Sequence, residues 1–386
     1  MNSVLKEELL LSDNKTHEKV AEEDERREKF GAQPLMALQR VGNVDQENDR
    51  LTSINMASII RRSVQWVPVA GRWTRISIMG SQLDEDLIKV KRNGDNDKRT
   101  VILLIPGNPG NEGFYEYFGR ELLTNLEAET MKRYSASSEQ YILYTVSHLN
   151  QVNLPRELRN NGAHNATDRF DLNDQVEHLA DFCFEYLPKA GRIVMFGHSI
   201  GAYIMLRILP NLLKHEYNIV CACALFPTIE RMAESPNGKR LFPILSRLDS
   251  FNALFVSLIL CWLDLLPLSL RRWLCSWGLP TGNVPECVLD SAAELLCLNV
   301  FRNIIHMSTD ELRKVCELDE SLLKHSDRIR FYYGRTDKWC PIDFGYQMKD
   351  RLGEELVVID DSDCEHAFVI KNSEIMARKL VNWVLP

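Results

Sequence analysis

Residues 192–208 read RIVMFGHSIGAYIMLRI, and the way this stretch divides decides the fold. Residues 193–196 form an apolar run short enough for a buried parallel strand, while Ala202, Tyr203, Met205, Leu206 and Leu209 supply a helix that follows. Between them lies Gly197-His198-Ser199-Ile200-Gly201, a G-x-S-x-G turn. A serine hydroxyl is a poor nucleophile at neutral pH, and a sharp strand-to-helix turn presents it to a base and to backbone donors. Gly197 and Gly201 then have a steric purpose, because a side chain at either would obstruct the reversal or hold the helix off the sheet. The same five-residue pattern arises by chance in unrelated proteins. The strand before it and the helix after it are what predict a nucleophile elbow with Ser199 at its tip.

The wider chain suits such a motif. Its 386 residues are enough for one large α/β domain with insertions or for two ordinary domains, and 45% hydrophobic residues support a sizeable core. A net charge of −8 without a long Lys/Arg run argues against nucleic acid as a partner. Ten cysteines in a chain this long, with no C-x-x-C pair, read as reduced and mostly buried thiols rather than as a disulfide framework or a zinc site. The first residues, MNSVLKEELLLSDN, carry acids within their short apolar run and lack the basic-then-apolar order of a secretory signal. A cytosol-facing protein is expected, with the sequons at Asn14 and Asn165 unused.

Residues 1–58 are charged and polar, densest at AEEDERREKF, and are expected to form a disordered or loosely helical extension. Order is expected from Ile59 to residue 386. SVQWVPVAGRWTRISIMG suggests two strands and a turn, and residues 87–90, NGDND and 101–105 read as strand, turn, strand. Strand-like runs at 141–146, 192–196, 219–225, 329–333 and 356–359 then alternate with helical patterns at 114–126, 172–187 and 202–213. Such alternation implies an α/β fold with a mostly parallel sheet flanked by helices. The rhythm breaks over residues 226–327, which are helical and apolar and read as a cap inserted over the carboxyl edge of the sheet.

Ser199 needs a histidine base and an acid to orient it, and in this kind of sheet they follow in the order serine, acid, histidine. RIRFYYGRTDKWCP places Asp337 in the loop after one strand, and ELVVIDDSDCEHAF places His366 after the last strand and before a helix at 373–384. Strand ends of a parallel sheet share one edge, so the three positions can converge. Asp361 and Asp363 are nearby carboxylates that compete with Asp337 for the role. The oxyanion hole is expected to combine the backbone N–H groups of Ile200 and Asn108. Asn108 lies in the loop PGNPGNEG at 106–113, where Pro106 and Pro109 have no N–H and Gly107 lets the backbone approach. His148, His178 and His198 are read as structural, with His148 the one that could line a pocket. No Gly-Lys-Ser/Thr, G-x-G-x-x-G or H-E-x-x-H spacing occurs, so neither a cofactor nor a metal is expected.

Within the insertion, residues 251–270 read FNALFVSLILCWLDLLPLSL, approaching a membrane span in length. The chain must return to the sheet it left, and Asp264 and Pro267 interrupt the run, which suits short helices lying in an interface rather than a single crossing. Phe251, Leu254, Phe255, Leu258, Ile259, Leu260, Trp262, Leu263, Trp273 and Trp277 are the candidate lipid-surface contacts, with Arg271 and Arg272 beside them.

Taken together, IPGNPGNEGFYEYF at 105–118, FDLNDQVEHLADF at 170–182, GHSIGAY at 197–203, YYGRTDKWCP at 332–341 and the His366 loop resemble the lipid droplet-associated hydrolases. The match runs from Trp66 to the end of the chain, and the extension before Leu51 departs from it. The resemblance implies an α/β-hydrolase fold, Ser199, Asp337 and His366 as the triad, and attachment to lipid droplets and the cytosolic face of the endoplasmic reticulum. It also implies a serine esterase acting on neutral lipids, sterol esters foremost, with a part in cholesterol and triglyceride homeostasis. Two other readings of the residues stay open: a soluble esterase or thioesterase whose insertion is only a cap, and a droplet-organising protein with little turnover.

Overall fold

Residues with long apolar runs and few charges form strands buried on both faces, and here those strands line up around the G-x-S-x-G turn. The computed structural model describes residues 59–83, 99–134, 139–158, 165–189, 191–250, 262, 265–279 and 284–385. They fall within one contact unit, Ala57–Pro386. The extension at 1–58, the expected strand at 87–90, and Phe251, Leu254, Phe255, Leu258, Ile259, Leu260 and Leu263 lie outside the described residues.

The sheet has eight strands: β1 (Arg61–Val69), β2 (Arg72–Gly80), β3 (Thr100–Ile105), β4 (Tyr141–Val146), β5 (Arg192–His198), β6 (Ile219–Leu225), β7 (Ile329–Tyr333) and β8 (Val357–Ile359). Their spatial order is β1-β2-β4-β3-β5-β6-β7-β8. The first two strands join antiparallel, and β3 to β8 run parallel. All six residues of β3 and of β4 are buried, as expected where helices cover both faces of a parallel sheet.

The order reverses between β3 and β5. Chain leaving β3 returns on one side as β4, whereas β5 lies on the other, with Ile105 paired in register to Gly197. This leaves a crevice beyond the carboxyl ends of β3 and β5, where ligands of open α/β sheets bind. The loop after β3 and the turn after β5 both empty into it.

Helices α1 (Glu116–Arg133), α2 (Leu172–Tyr186) and α3 (Ile200–Lys214) follow β3, β4 and β5. Helix α2 starts with a capping box in which the Asp171 carboxylate accepts from Asp174 and the Asp174 carboxylate accepts from Asp171. Between β6 and β7 the described residues form α4 (Pro236–Ser250), α5 (Leu268–Gly278), α6 (Glu286–Leu295) and α7 (Leu298–Lys314), with no strand among them. After β7 come α8 (Ile342–Leu352), the single turn α9 (Phe368–Lys371) and α10 (Ser373–Val384), which packs on α1.

The insertion has two characters. Helix α7 turns Val300, Asn303, Met307 and Glu311 inward at intervals of three and four residues, and all four are buried. Helix α5 has no buried residue at all. Trp262, Leu265, Leu268, Trp273 and Trp277 stand exposed on or just before it, and Trp277 retains 72% of its accessible surface. No helix among the described residues is long and apolar enough to cross a membrane.

The close fit of α3 on the sheet depends on the two glycines of the turn. A Cβ on Gly201 would lie 2.3 Å from the Ile105 carbonyl oxygen and 2.4 Å from that of Pro106, and one on Gly197 would lie 2.5 Å from the Gly201 oxygen. These neighbours are backbone, which cannot swing aside. Gly201→Ala is expected to destabilise the fold by about 3 kcal/mol; a thermal melt in which the variant matches the parent would contradict this packing.

Candidate active site

Ser199 occupies the turn between β5 and α3 with φ 55° and ψ −123°. A non-glycine residue in this region costs on the order of 1–3 kcal/mol and persists only where its surroundings over-determine it. Here the Ser199 N–H donates to the Leu225 carbonyl at 2.9 Å and its own carbonyl accepts from Ala202 at 3.0 Å. The turn is therefore tied to β6 on one side and to α3 on the other.

Opposite the serine stands His366, delivered by the loop after β8. Its Nε2 lies 2.9 Å from Ser199 Oγ, and its Nδ1 lies 2.6 Å from Asp337 Oδ2. Asp337 comes from the loop after β7, so residues separated by as many as 167 positions meet at one sheet edge. An Nδ1–H donated to Asp337 leaves the Nε2 lone pair facing the hydroxyl, the tautomer a general base needs.

Asp337 is fixed on both oxygens. Oδ1 accepts from the backbone N–H groups of Trp339 at 2.7 Å and Cys340 at 3.1 Å, and Oδ2 accepts from the Cys340 thiol at 2.9 Å as well as from His366. Burial pushes this carboxyl upward, but the His366 ring, the thiol and the Trp339 N–H outweigh it and hold the group below the usual carboxylate range. Of the competing acids, Asp361 is exposed and paired with Lys379, and Asp363 is exposed too. The buried Asp360 is bound by Tyr332 and by the Cys364 N–H. None of these reaches the imidazole.

Asp337, Cys340 and His366 also bring a carboxylate, a thiol and an imidazole within 4.8 Å of one another, the spacing of metal ligands. Burial raises the Cys340 thiol well above its ordinary pKa, which opposes the thiolate a metal requires. His366 Nδ1, moreover, is already engaged by Asp337.

A second chain of hydrogen bonds joins the three loops from behind. The Gly107 N–H donates to Tyr115 Oη at 2.9 Å, Tyr115 Oη lies 2.7 Å from His198 Nδ1, and His198 Nε2 lies 2.8 Å from the His366 carbonyl oxygen. The carbonyl can only accept, so His198 carries its proton on Nε2 and its Nδ1 accepts from the tyrosine. Burial first, then the nearby His366 ring, hold His198 down to about 3, which keeps it neutral. The structural role read for His198 from the sequence thus takes a specific form: it fixes the backbone of His366.

The same chain bears on the two backbone N–H groups expected to serve an oxyanion. With the Gly107 N–H engaged by Tyr115 and Pro109 lacking one, the N–H left in this stretch of the loop is that of Asn108. Ile200 opens α3, where the helix offers its N–H no acceptor. The loop lies against the turn closely enough that a Cβ on Gly107 would sit 3.1 Å from Ser199 Cβ.

The remaining histidines are occupied elsewhere. His148 is buried against Gly110, donates from Nε2 to the Pro106 carbonyl oxygen over 3.1 Å, and is lowered to about 4 by burial, so it supports the loop without lining the cavity. His178 pairs with Thr74 at 2.8 Å.

A cavity of about 350 Å³ joins these parts. Gly107, Asn108, Ser199 and His366 line it together with apolar side chains from several elements, among them Phe114, Leu279, Leu295, Trp339 and Val369. Leu279 directly follows the exposed helix α5. A wider groove of about 740 Å³, lined by Glu116, Tyr117, Arg120, Lys371 and Glu374, contains none of Ser199, Asp337 and His366.

The chain has relatives. A family model described as lipid-droplet associated hydrolase matches residues 98–369. The chain belongs to that family. The lipid droplet-associated hydrolase of Gallus gallus is 30% identical over 299 residues, covering 76% of this chain and 87% of that one. The Homo sapiens protein of the same name is 30% identical over 288 residues, covering 72% and 82%. Among solved structures, a haloalkane dehalogenase from Agrobacterium tumefaciens aligns with a TM-score of 0.54 at 13% identity, covering 84% of this chain and 96% of that one. A bacterial membrane phospholipase A aligns with 0.51 at 14% identity, covering 87% and 90%. At these identities the likeness is one of fold, and the fold of this lipid-droplet associated hydrolase family member is that of the α/β-hydrolases.

Tyr115 and Glu311 are polar residues of this site that sequence reasoning missed. Tyr115 sits in FYEYF with nothing local to mark it. Glu311 carries a trace, since it falls on the stripe of α7 formed by Val300, Asn303 and Met307, where a carboxylate is out of place. Tyr115→Phe strands the Gly107 N–H and His198 Nδ1 together, and urea unfolding is expected to show a loss on the order of 1–3 kcal/mol. An unchanged midpoint would mean that the relay holds nothing.

Proposed function

We propose that this chain is a serine hydrolase that cleaves carboxylic esters of neutral lipids, sterol esters foremost, at the surface of lipid droplets and at the cytosolic face of the endoplasmic reticulum. The observation that carries the reading is the unbroken row Ser199 Oγ, His366, Asp337, at 2.9 and 2.6 Å, opening on an apolar cavity. Membership of a family named for lipid droplets supports the location.

In the proposed reaction, Ser199 Oγ attacks the ester carbonyl carbon as its proton passes to His366 Nε2. The carbonyl oxygen becomes an oxyanion, received by the backbone N–H groups of Ile200 and Asn108. The bond to the alcohol then breaks, the alcohol leaves with the proton from Nε2, and the acyl group stays on Ser199. Water repeats the sequence, giving up a proton to His366, and the fatty acid is released with Ser199 restored. Asp337 keeps its charge throughout and stabilises the imidazolium. Its depressed pKa suits that task, because a carboxyl that stayed neutral would give the imidazolium no countercharge.

Helix α5 supports contact with a lipid surface. Trp273 and Trp277 lie 4.3 Å apart between ring centroids, their planes tilted by 58°, and are both exposed, with Leu268 and Leu270 beside them. Indoles favour the boundary between acyl chains and water. Leu279 then connects this helix to the cavity at Ser199, a short route from a lipid surface to the nucleophile.

Ser199→Ala is expected to abolish hydrolysis of cholesteryl and triacylglycerol esters, and Asp337→Asn to lower kcat by about 10⁴ with the protein still folded. Substantial turnover by either variant would count against the triad. The double change Trp273→Ala, Trp277→Ala is expected to weaken binding to triacylglycerol emulsions by about 1–2 kcal/mol per indole, measured by flotation. Equal flotation of variant and parent would remove α5 from the lipid contact.

A further inference from the structure

Glu311 is the most buried acid in contact with the cavity, with 2% of its surface accessible, and it comes from the insertion rather than from the sheet. Its Oε1 accepts from Asn108 Nδ2 at 3.0 Å. The same amide nitrogen lies 2.9 Å from Ser308 Oγ and 3.3 Å from the Ile304 carbonyl, both also on α7. Two successive turns of an insertion helix thus grip the side chain of a loop residue roughly 200 positions earlier. Asn108 is next to Gly107, where an added Cβ would lie 3.1 Å from Ser199 Cβ.

We propose that Glu311 is a positioning residue: acting through the Asn108 amide, it sets the oxyanion-binding loop against Ser199, so that the insertion completes the active site of the sheet domain. The inference rests on the reading of Ser199 as the nucleophile and of the Asn108 N–H as an oxyanion donor. It assigns α7 a part in the chemistry, separate from any lipid contact made by α5.

Either form of Glu311 can accept from Asn108, but only the neutral one leaves the space beside Ser199 uncharged. Desolvation by burial pushes its carboxyl up to about 8; the Asn108 hydrogen bond lowers it and the neighbouring Asp310 raises it. Asp310 is itself paired with Lys314 at 2.9 Å, and Lys314 also meets Asp171 of the α2 cap. From the other elements around the cavity the titratable groups are Tyr115, His198 and His366. Of these, Tyr115 is held neutral by burial and His198 lies far below neutrality. Near neutral pH, then, Glu311 adds no charge to the cavity. Once ionised, it puts a second negative charge into the space where an oxyanion must form, with little water to screen it.

The sign follows for stability as well. A carboxyl raised from about 4.3 in the unfolded chain to about 8 in the fold binds its proton more tightly when folded. That contribution is complete below the unfolded pKa and is lost as pH rises through the folded one.

The test is the second-order rate of labelling by a fluorophosphonate, which reports reaction at the serine without a lipid surface. In the full-length parent, the rate is expected to fall about tenfold between pH 7 and roughly pH 9.5 as Glu311 ionises, an increase of about 1.4 kcal/mol in the barrier. In Glu311→Gln, whose amide oxygen can still accept from Asn108 and cannot ionise, the ratio of the two rates is expected to stay within about twofold. Using the ratio removes any difference in basal rate between the proteins. Glu311→Ala is expected to label about 10²-fold more slowly than the parent at pH 7, as when an oxyanion donor is lost, and to show no alkaline fall of its own, with KM for a short acyl ester little changed and kcat reduced. The Gln profile decides alone if the Ala variant does not fold. A Gln variant with the parental alkaline fall, or an Ala variant labelling at the parental rate, overturns the inference while leaving Ser199 in place. Labelling that persists in Ser199→Ala overturns the nucleophile, and this inference with it.

Discussion

The steric constraint at the G-x-S-x-G turn is what the rest of this molecule is built around. Helix α3 can begin beside Ile105 and Pro106 only because position 201 carries no side chain, and Ser199 can hold a positive φ only because β6 and α3 clamp its backbone. The strain at one serine is small against the burial of the whole sheet, yet it determines where that hydroxyl points. The switch in strand order between β3 and β5 then supplies the space into which it points.

What converges on that space is held by hydrogen bonds that agree in direction. Asp337 accepts four, from two backbone amides, a thiol and an imidazole, and donates none. The row from Gly107 through Tyr115 and His198 to the His366 carbonyl likewise has one consistent arrangement of protons. Buried polar groups arranged this way specify a unique geometry, because any rotation leaves a group without its partner in a low-dielectric setting. The loop after β3 is secured further by buried charge: Glu112 meets Arg62 at 3.3 Å and Arg75 at 3.2 Å, and Arg75 reaches on to Glu294 of α6 at 2.8 Å. Insertion and sheet are linked at Glu294 and again at Glu311.

Much of this was legible in the chain because it is local. The strand and helix around Ser199, the position of Asp337 after RIRFYYG and that of His366 after ELVVID are each read within about ten residues, and the parallel sheet brings them together. The predicted alternation located β4 to β8 within a residue or two, and the break at 226–327 corresponds to α4 to α7 among the described residues. What the chain concealed depends on partners far away in sequence. Tyr115 is recognisable only once His198 and Gly107 are placed on either side of it. Glu311 and Asn108 meet across roughly 200 positions, which no periodicity announces. His198 was masked by its proximity to the serine, yet its contact is with the His366 backbone, which the chain brings to it from 168 positions away.

The central claim is that a lipid ester acylates Ser199. The most direct measurement is acid quenching during turnover of a cholesteryl or triacylglycerol ester, followed by peptide mass spectrometry. The account predicts that the fatty acyl mass appears on the peptide containing Ser199, bound to that serine, and that it decays as free acid forms. An acyl group found on another residue, or steady product formation with Ser199 unmodified throughout, would contradict it.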